Sequence, residues 1–454
     1  MAGGTFDINQ EKIRPGSYIN YKSRKKKTIS TSTRGKVVIP LVGYDWGPSG
    51  EFIKLTLDSP DAEYAKFGRS VLSGEEETLP ILLAFENASE VYAYIISGGE
   101  KAKKTQGALT IEAKYPGTRG NDITVVSTAN LDGGFDVMVY LDGELMETFS
   151  GCSTIAELVD EGSEYVTFSG EGDLTAFAGA ALAGGENSNT NNQDFTTFLD
   201  KVEKVKCNTV LIPVTDSALV NAAASKVKYL RNNVGKTVQF VFPNFAGDHI
   251  GIINVTNAFV FDGIELTDAQ AAAWVAGVTA GSDKTTSNTY RVVNHASSVL
   301  REKSNEEAEA AILAGEFFFS TSDDTGEVMV EYDINSLVHP SKDQDKSYRK
   351  NRVIRTFDSF ADDLKATIKP AEYDNEPNGW DKMDQLGRLL LKRYSNADGG
   401  DGAIKNVDAD NDFAVDRTLS SDDNTYFNVS LQPVDSSEKQ YYSISTQMIS
   451  RNLE

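Results

Sequence analysis

Histidine, cysteine and short glycine-bearing motifs are where catalytic chemistry would first show in this 454-residue chain, because metal binding and nucleophilic attack need particular side chains at particular spacings. His249, His295 and His339 stand apart, and none falls in a His-x-x-x-His pair, so no zinc site is spelled out. Gly235-Lys-Thr237 ends like a phosphate loop, but Leu230 stands where that loop needs its first glycine, and the backbone cradle is broken. Asp408-Ala-Asp-Asn-Asp412 opens like a calcium loop, yet Phe413 occupies the sharp-turn glycine position and Leu419 that of the bidentate glutamate. A weak exposed cation site and a solvated acidic loop both fit it. Gly47-Pro-Ser49, Gly68-Arg-Ser70 and Gly151-Cys-Ser153 each begin like a nucleophile elbow, with Glu51, Leu72 and Ile155 in place of the closing glycine. No catalytic residue, metal site or cofactor is expected.

Composition narrows the partners. Lys plus Arg total 44 against 67 Asp plus Glu, a net charge of -23, which repels phosphate and disfavours nucleic acid. Residues 1–36 run the other way: Lys12, Arg14, Lys22, Arg24, Lys25, Lys26, Lys27, Arg34 and Lys36 face only Asp7 and Glu11, a net of +7 that leaves -30 on the rest. A basic leading segment on an acidic body can be steered to the acidic body of another copy; a solvated terminus is the plainer alternative. Cys152 and Cys207 form no CxxC pair, which suits a reducing compartment. The start, Met-Ala-Gly-Gly-Thr-Phe-Asp, carries no apolar signal core, and no run reaches the length of a membrane span, so no membrane insertion is expected.

The elements that would position any site form three textures. After a polar arm with an extended stretch at 17–21, strands are predicted over 36–41, 52–57 and 91–96, with helices over 60–67 and 79–85. From Gly98-Gly99 onward, alternation at 109–113, 123–126, 135–141 and 145–149, with a hairpin turn at Asp142-Gly143, predicts an inserted β-rich domain. Alternating elements then resume: helices over 195–204, 217–232, 268–280 and 306–313, and strands over 209–213, 237–242, 252–261, 316–320 and 327–332. Two amphipathic helices, 351–368 and 379–394, and two strands, 426–431 and 441–449, close the chain. In the second helix Trp380, Met383, Leu390 and Tyr394 are expected inward, with Asp381, Gln385, Arg388 and Lys392 opposite.

Motifs spread along the chain resemble one family. Arg14-Pro-Gly-Ser-Tyr18, Arg34-Gly-Lys-Val-Val-Ile-Pro-Leu41 and Trp46-Gly-Pro48 come first, then Tyr115-Pro-Gly-Thr-Arg-Gly-Asn-Asp-Ile123. Ala273-Trp-Val-Ala-Gly277 with Ser287-Asn-Thr-Tyr290 follows, and then Arg352-Val-Ile-Arg-Thr-Phe-Asp358 with Gly387-Arg388 and Gly402-Ala-Ile404. In this order they resemble the contractile tail sheath proteins of myophages and phage-tail-like bacteriocins, with a flavour of particles from Gram-positive bacteria. Asn375-Glu-Pro-Asn-Gly-Trp380 and the acidic stretch 398–412 depart from the pattern.

The resemblance implies an α/β multidomain chain: a discontinuous α/β domain over 33–98 and 191–340, an inserted outward β-rich domain over 99–190, a C-terminal helix-plus-strand domain over 341–439, and arms at 1–32 and 440–454. It implies a non-enzymatic subunit, made in the bacterial cytoplasm, that polymerises helically with itself around an inner tail tube protein between baseplate and tail terminator proteins, and contracts to drive the tube through a cell envelope. The arms would exchange strands between subunits, with Tyr18, Ile19, Asn20 and Tyr21 in one and Tyr441, Tyr442, Ser443, Ile444, Ser445 and Thr446 in the other. An intramolecular hairpin between 426–431 and 441–449 is the alternative for the second. Gln385, Arg388 and Lys392 are the tube-facing candidates. A surface-lattice or adhesin-type protein, or an α/β enzyme with a non-standard site in 195–300, would share the acidic, motif-poor composition.

Overall fold

Strand β1, Lys36–Val42, reads Lys-Val-Val-Ile-Pro-Leu-Val and is buried on both sides, the signature of a central strand. It lies inside a seven-stranded sheet with β2 (Phe52–Thr56), β3 (Glu90–Ile96), β4 (Thr209–Leu211), β5 (Gln239–Pro243), β6 (Ile252–Val255) and β7 (Glu316–Phe317), in the order β7-β6-β5-β4-β1-β3-β2. All neighbours are parallel except the edge strand β2, which runs antiparallel to β3. This computed structural model describes residues 2–4, 16–18, 34–96, 98–188, 192–396 and 399–445.

Helices cover both faces of the sheet. On one, Val37, Ile39 and Val241 pack with α1 (Leu79–Phe85) and α4 (Asp268–Gly281); on the other, Val38, Val210, Phe240 and Phe242 pack with α2 (Asn192–Val202) and α3 (Ser217–Tyr229). Alternating strand residues thus feed two cores. Helix α4 is apolar all round because it is enclosed, and its start is set by a capping box between Thr267 and Gln270. A side chain at Gly277 would stand 2.4 Å from Ala84 O, so only glycine lets α4 approach α1 this closely.

Between β3 and α2 the chain leaves the sheet as two smaller ones. Glu144–Cys152, Phe135–Leu141, Ile123–Ala129 and Phe177–Ala181 form one; Val166–Ser169, Leu109–Ala113 and Lys103–Gln106 form the other. Gly99–Glu100 pairs with Glu186–Asn187, bringing the excursion back to its origin. The turn at Asp142-Gly143 has φ of 53° and 82°, as the expected tight hairpin requires. The short helix Ile155–Glu161 was not expected; Thr154 and Glu157 form its capping box, a signal present in the sequence.

The last portion holds α5 (Asn351–Thr367), α6 (Pro377–Tyr394) and the antiparallel pair β8 (Phe413–Val415) and β9 (Phe427–Val429) around Phe360, Leu390, Leu391, Tyr394 and Phe413. A side chain at Gly387 would meet the Phe413 ring at 2.1 Å, which accounts for the glycine. Residues 1–33 form a separate unit, in which Ala2–Gly4 pairs in parallel with Gly16–Tyr18.

Several expectations need correction. The strand expected over 252–261 breaks after Val255, because buried Asn257 bonds Phe319 N and O through its own side chain and redirects the chain into a second sheet over Ala258–Phe261. The helix expected over 60–67 shrinks to Tyr64–Phe67, as Asp61 is taken by Ser70 Oγ and Val71 N–H. The strand expected over 316–320 is interrupted at Phe318. The strand expected over 426–431 is shorter, Phe427–Val429, and pairs with β8; residues 441–445 form no strand, and 446–449 lie outside the described residues.

Candidate functional site

The residues that resembled catalytic motifs are tied into structure. Lys236 Nζ donates to Val205 O at 3.0 Å and Thr237 Oγ1 to Asp362 at 2.9 Å, so the phosphate-loop-like tripeptide pins loops together. In the calcium-like loop, Asp408 accepts from Asp410 N–H and Asn411 Nδ2, and Asp412 accepts from Asp408 N–H, which turns the carboxylates onto the loop's own donors. Among the described residues no group of three or more His, Cys, Asp or Glu is arranged to hold a metal ion. Burial pushes the Cys207 thiol up to about 12.

His249 is half-buried and accepts Gly251 N–H on Nδ1 at 3.0 Å, while burial first and then Arg231 and Lys228 push it down from 6.5 to about 4. An unfolded imidazole still takes a proton near 6.5, so acidification from there towards 4 favours the unfolded chain, and stability is full only above that window. His249→Asn keeps an acceptor for Gly251 and should shrink the fall in Tm between about pH 7 and about pH 4.5. An equal fall in both proteins would count against this assignment.

What the structure does bring together is a part of the motif set within residues 34–358, at two joints. At the first, buried Trp46 donates Nε1–H to Ala65 O at 2.8 Å and meets Tyr115 edge-on at 5.3 Å. Arg119 donates to Gly68 O at 3.0 and 3.1 Å, and Gly117, with φ of 121°, packs where a side chain would lie 2.0 Å from Asp45 O. Arg69 holds Asp45 in a two-pronged pair at 2.7 and 3.0 Å. The joint therefore fixes the direction of the inserted sheets relative to the large sheet.

Asp333 is the centre of the second joint. It accepts from Asn288 N–H at 2.9 Å, Asn351 Nδ2 at 3.0 Å and Arg355 Nη2 at 2.8 Å, with Asp333 and Arg355 1% and 0% exposed. Asn351 in turn accepts from Gln239 of β5, and Arg355 also donates to Thr286 O. Asn288 Oδ1 gathers Ser282 Oγ and Arg291, and Arg291 reaches Asn87. Arg34 donates to Thr279 O and Ser282 O at the C-terminus of α4, where the helix dipole favours a cation. Burial first, and then the nearby Arg355 charge, push Arg34 down to about 10. Two blocks of motif residues, through Asn288 and Arg355, thus share one buried carboxylate that sequence reasoning had not singled out, and Arg34 joins the network through Ser282.

The strand-exchange candidates fall differently. Tyr18 ends a described strand, while Ile19, Asn20 and Tyr21 lie outside the described residues. Tyr441, Tyr442 and Ile444 are 89%, 80% and 90% exposed, Ser443 and Ser445 are exposed, and Thr446 lies outside the described residues. On α6, Gln385 and Lys392 are exposed with Leu389, at 57%, between them. Arg388 is half-buried and lies 3.4 Å from Asp410, and Trp380, half-buried, donates to Asn375.

Among the described residues no helix is long and apolar enough to cross a membrane. Three family descriptions match: phage tail sheath protein beta-sandwich domain over 97–189, phage tail sheath protein central domain over 188–336, and phage tail sheath C-terminal domain over 343–447. The phage-like element PBSX protein XkdK of Bacillus subtilis (strain 168) is 32% identical over 98% of this chain and 99% of its own length. Among solved structures, a sheath tail protein from Desulfitobacterium hafniense is similar at TM-score 0.81 and 36% identity, over 95% of this chain and all of its own. One from Listeria innocua is similar at TM-score 0.77 and 30% identity, over 91% and 95%.

Proposed function

The chain belongs to the phage tail sheath family, and from that premise we propose that it polymerises helically around an inner tail tube and contracts to drive that tube through a cell envelope. Its copies are linked by exchanged terminal strands. One observation carries the linkage: Tyr441, Tyr442 and Ile444 are large, apolar in part and almost fully exposed, on a segment with no strand partner among the described residues. An apolar segment of this kind lowers its free energy by pairing with another copy.

The acceptor we propose is the outer edge of β9. Bonds from Ser430 N to Asp412 O and from Asp416 N to Tyr426 O set the alternation of the β8–β9 ladder, so the main-chain groups of Phe427 and Val429 face away from β8. The opposite edge is closed, because Val415 N–H donates to the buried carboxylate of Asp384 at 2.7 Å. Each added main-chain bond nets about 1 kcal/mol, and repetition along a tube makes the mesh strong. Contacts of this kind repeat without closing along an axis, as a helical assembly requires.

The bodies then move as rigid units, which the two buried joints support. The exposed stripe of Gln385, Leu389 and Lys392 on α6 is our tube-facing surface, with Arg388 at its margin. Division into arms at 1–32 and 440–454, an α/β domain over 33–98 and 191–340, an inserted domain over 99–190 and a C-terminal domain over 341–439 belongs to the same proposal. So do baseplate and tail terminator partners, assembly in the bacterial cytoplasm, and a role without catalysis.

Electron microscopy of the purified full-length chain tests the reading. Hollow, striated cylinders are the expected result. A flat lattice would favour a surface-layer protein, and discrete particles whose melting responds to small ligands would favour an enzyme; either outcome overturns it.

A further inference from the structure

Past Gln432 the chain has little apolar surface to bury, yet it stays against the body as far as Glu438. Pro433 and Val434 are half-buried, while Asp435, Ser437 and Lys439 are exposed. Its attachment is therefore polar. Val434 N–H donates to Ala403 O at 2.9 Å, Arg352 Nη1 to Ser436 Oγ at 2.5 Å, and Lys350 stands 3.2 Å from Asp435.

Glu438 breaks the pattern of its neighbours. Its side chain is 8% exposed, where that of Asp435 keeps 42%. One oxygen accepts from Ser287 Oγ at 2.7 Å and from Thr289 Oγ1 at 2.9 Å, and the other from Lys350 Nζ. Lys350 also lies 4.9 Å from the centre of the Tyr332 ring. Burial alone would lower the Lys350 pKa, but the bond and charge of Glu438 outweigh it and leave it raised. Immediately beyond, Gln440 and residues 441–445 are exposed. The border between held and free chain thus falls at one carboxylate whose donors come from Ser287, Thr289 and Lys350.

Resting on the reading that residues 440–454 form an intermolecular arm, we infer that Glu438 is the anchor of that arm, a positioning residue that fixes where it leaves the body. The physical effect is on effective concentration. With the carboxylate bound, the arm starts from a fixed point; with the carboxylate released, the residues beyond Ser436, the last one held by another hydrogen bond to the body, join the arm as slack. The chance of its reaching one neighbour then falls as roughly the −3/2 power of the arm's length, and the fall is repeated at every copy along the tube.

Hydrogen exchange and assembly on the full-length chain test this together. In Glu438→Gln and in Lys350→Met the amides of residues 437 and 438 should exchange about tenfold faster, while those of β1 and β5 keep their rates. The double variant should exchange no faster than the quicker single variant, because Lys350→Met already removes the pair with Glu438 that Glu438→Gln removes. The concentration at which cylinders appear should rise severalfold, a readout that local loosening without an arm role would not move. Unchanged exchange in Glu438→Gln overturns the anchor, and faster exchange with an unchanged assembly threshold overturns its positioning role. A chain lacking residues 440–454 separates this from the parent reading. If it assembles normally, the arm itself is wrong; if it fails while Glu438→Gln behaves as the parent, only the anchor is wrong.

Discussion

Arg355→Met should lower the stability of the folded chain by about 3–5 kcal/mol, read as a fall of roughly 3–5 °C in Tm. The substitution keeps most of the side-chain volume and removes only the charge. What remains is Asp333, 1% exposed and bonded to Asn288 N–H and Asn351 Nδ2, with its cation gone. Two neutral donors do not offset the cost of an ionised carboxylate out of water. Asp333→Asn in the same chain removes that orphaned charge, so the double variant should recover a good part of the loss. A single variant as stable as the parent would show that the pair is not what holds this joint.

The same argument says what the joint is for. The network around Asp333 binds β5 through Gln239, α4 through Ser282 and Arg34, and α5 through Asn351 and Arg355. Arg231 and Asp358 add a two-pronged pair between the end of α3 and α5 at 2.7 and 2.9 Å. Directional bonds buried together have one good geometry, so the α/β layers and the C-terminal helices should turn as one piece when neighbours slide past each other. Apolar packing alone would tolerate small rotations better.

Much of this was legible from periodicity. The strand over 36–42 and the helices over 79–85, 268–281 and 351–367 stand within one residue of where the apolar spacing put them, because each buries an unbroken face. The failures have a common physical origin in side chains that bond the backbone. Asn257 takes both main-chain groups of Phe319 and ends a strand whose hydrophobicity runs on, and Asp61 does the same to a helix start. Asp333 was invisible for another reason: a lone aspartate among 67 acids has no pattern, and its partners lie between 18 and 45 positions away. The paired strand at 413–415 was hidden inside a loop read for its acids. On α6, Leu389 shows the limit of amphipathic reasoning, since a leucine stands 57% exposed on the face otherwise read as polar.

Removal of residues 440–454 should leave Tm unchanged within about 0.5 kcal/mol of stability and abolish cylinders. The two halves of that expectation come from one observation, the exposure of residues 440–445. Tyr441, Tyr442 and Ile444 contribute almost no buried area within the subunit, so their deletion uncovers no core. In an assembly they would contribute several main-chain bonds at about 1 kcal/mol each per copy, and the loss recurs at every copy along the tube. Removal of residues 1–25 should act in the same direction but with a salt signature. It takes away Lys12, Arg14, Lys22, Arg24 and Lys25, whose attraction to an acidic neighbour is strongest at low ionic strength. For the parent chain, added salt should therefore raise the assembly threshold, and a chain without its basic segment should lose that response. Normal cylinders from both truncated chains would mean that the copies hold together through their bodies alone.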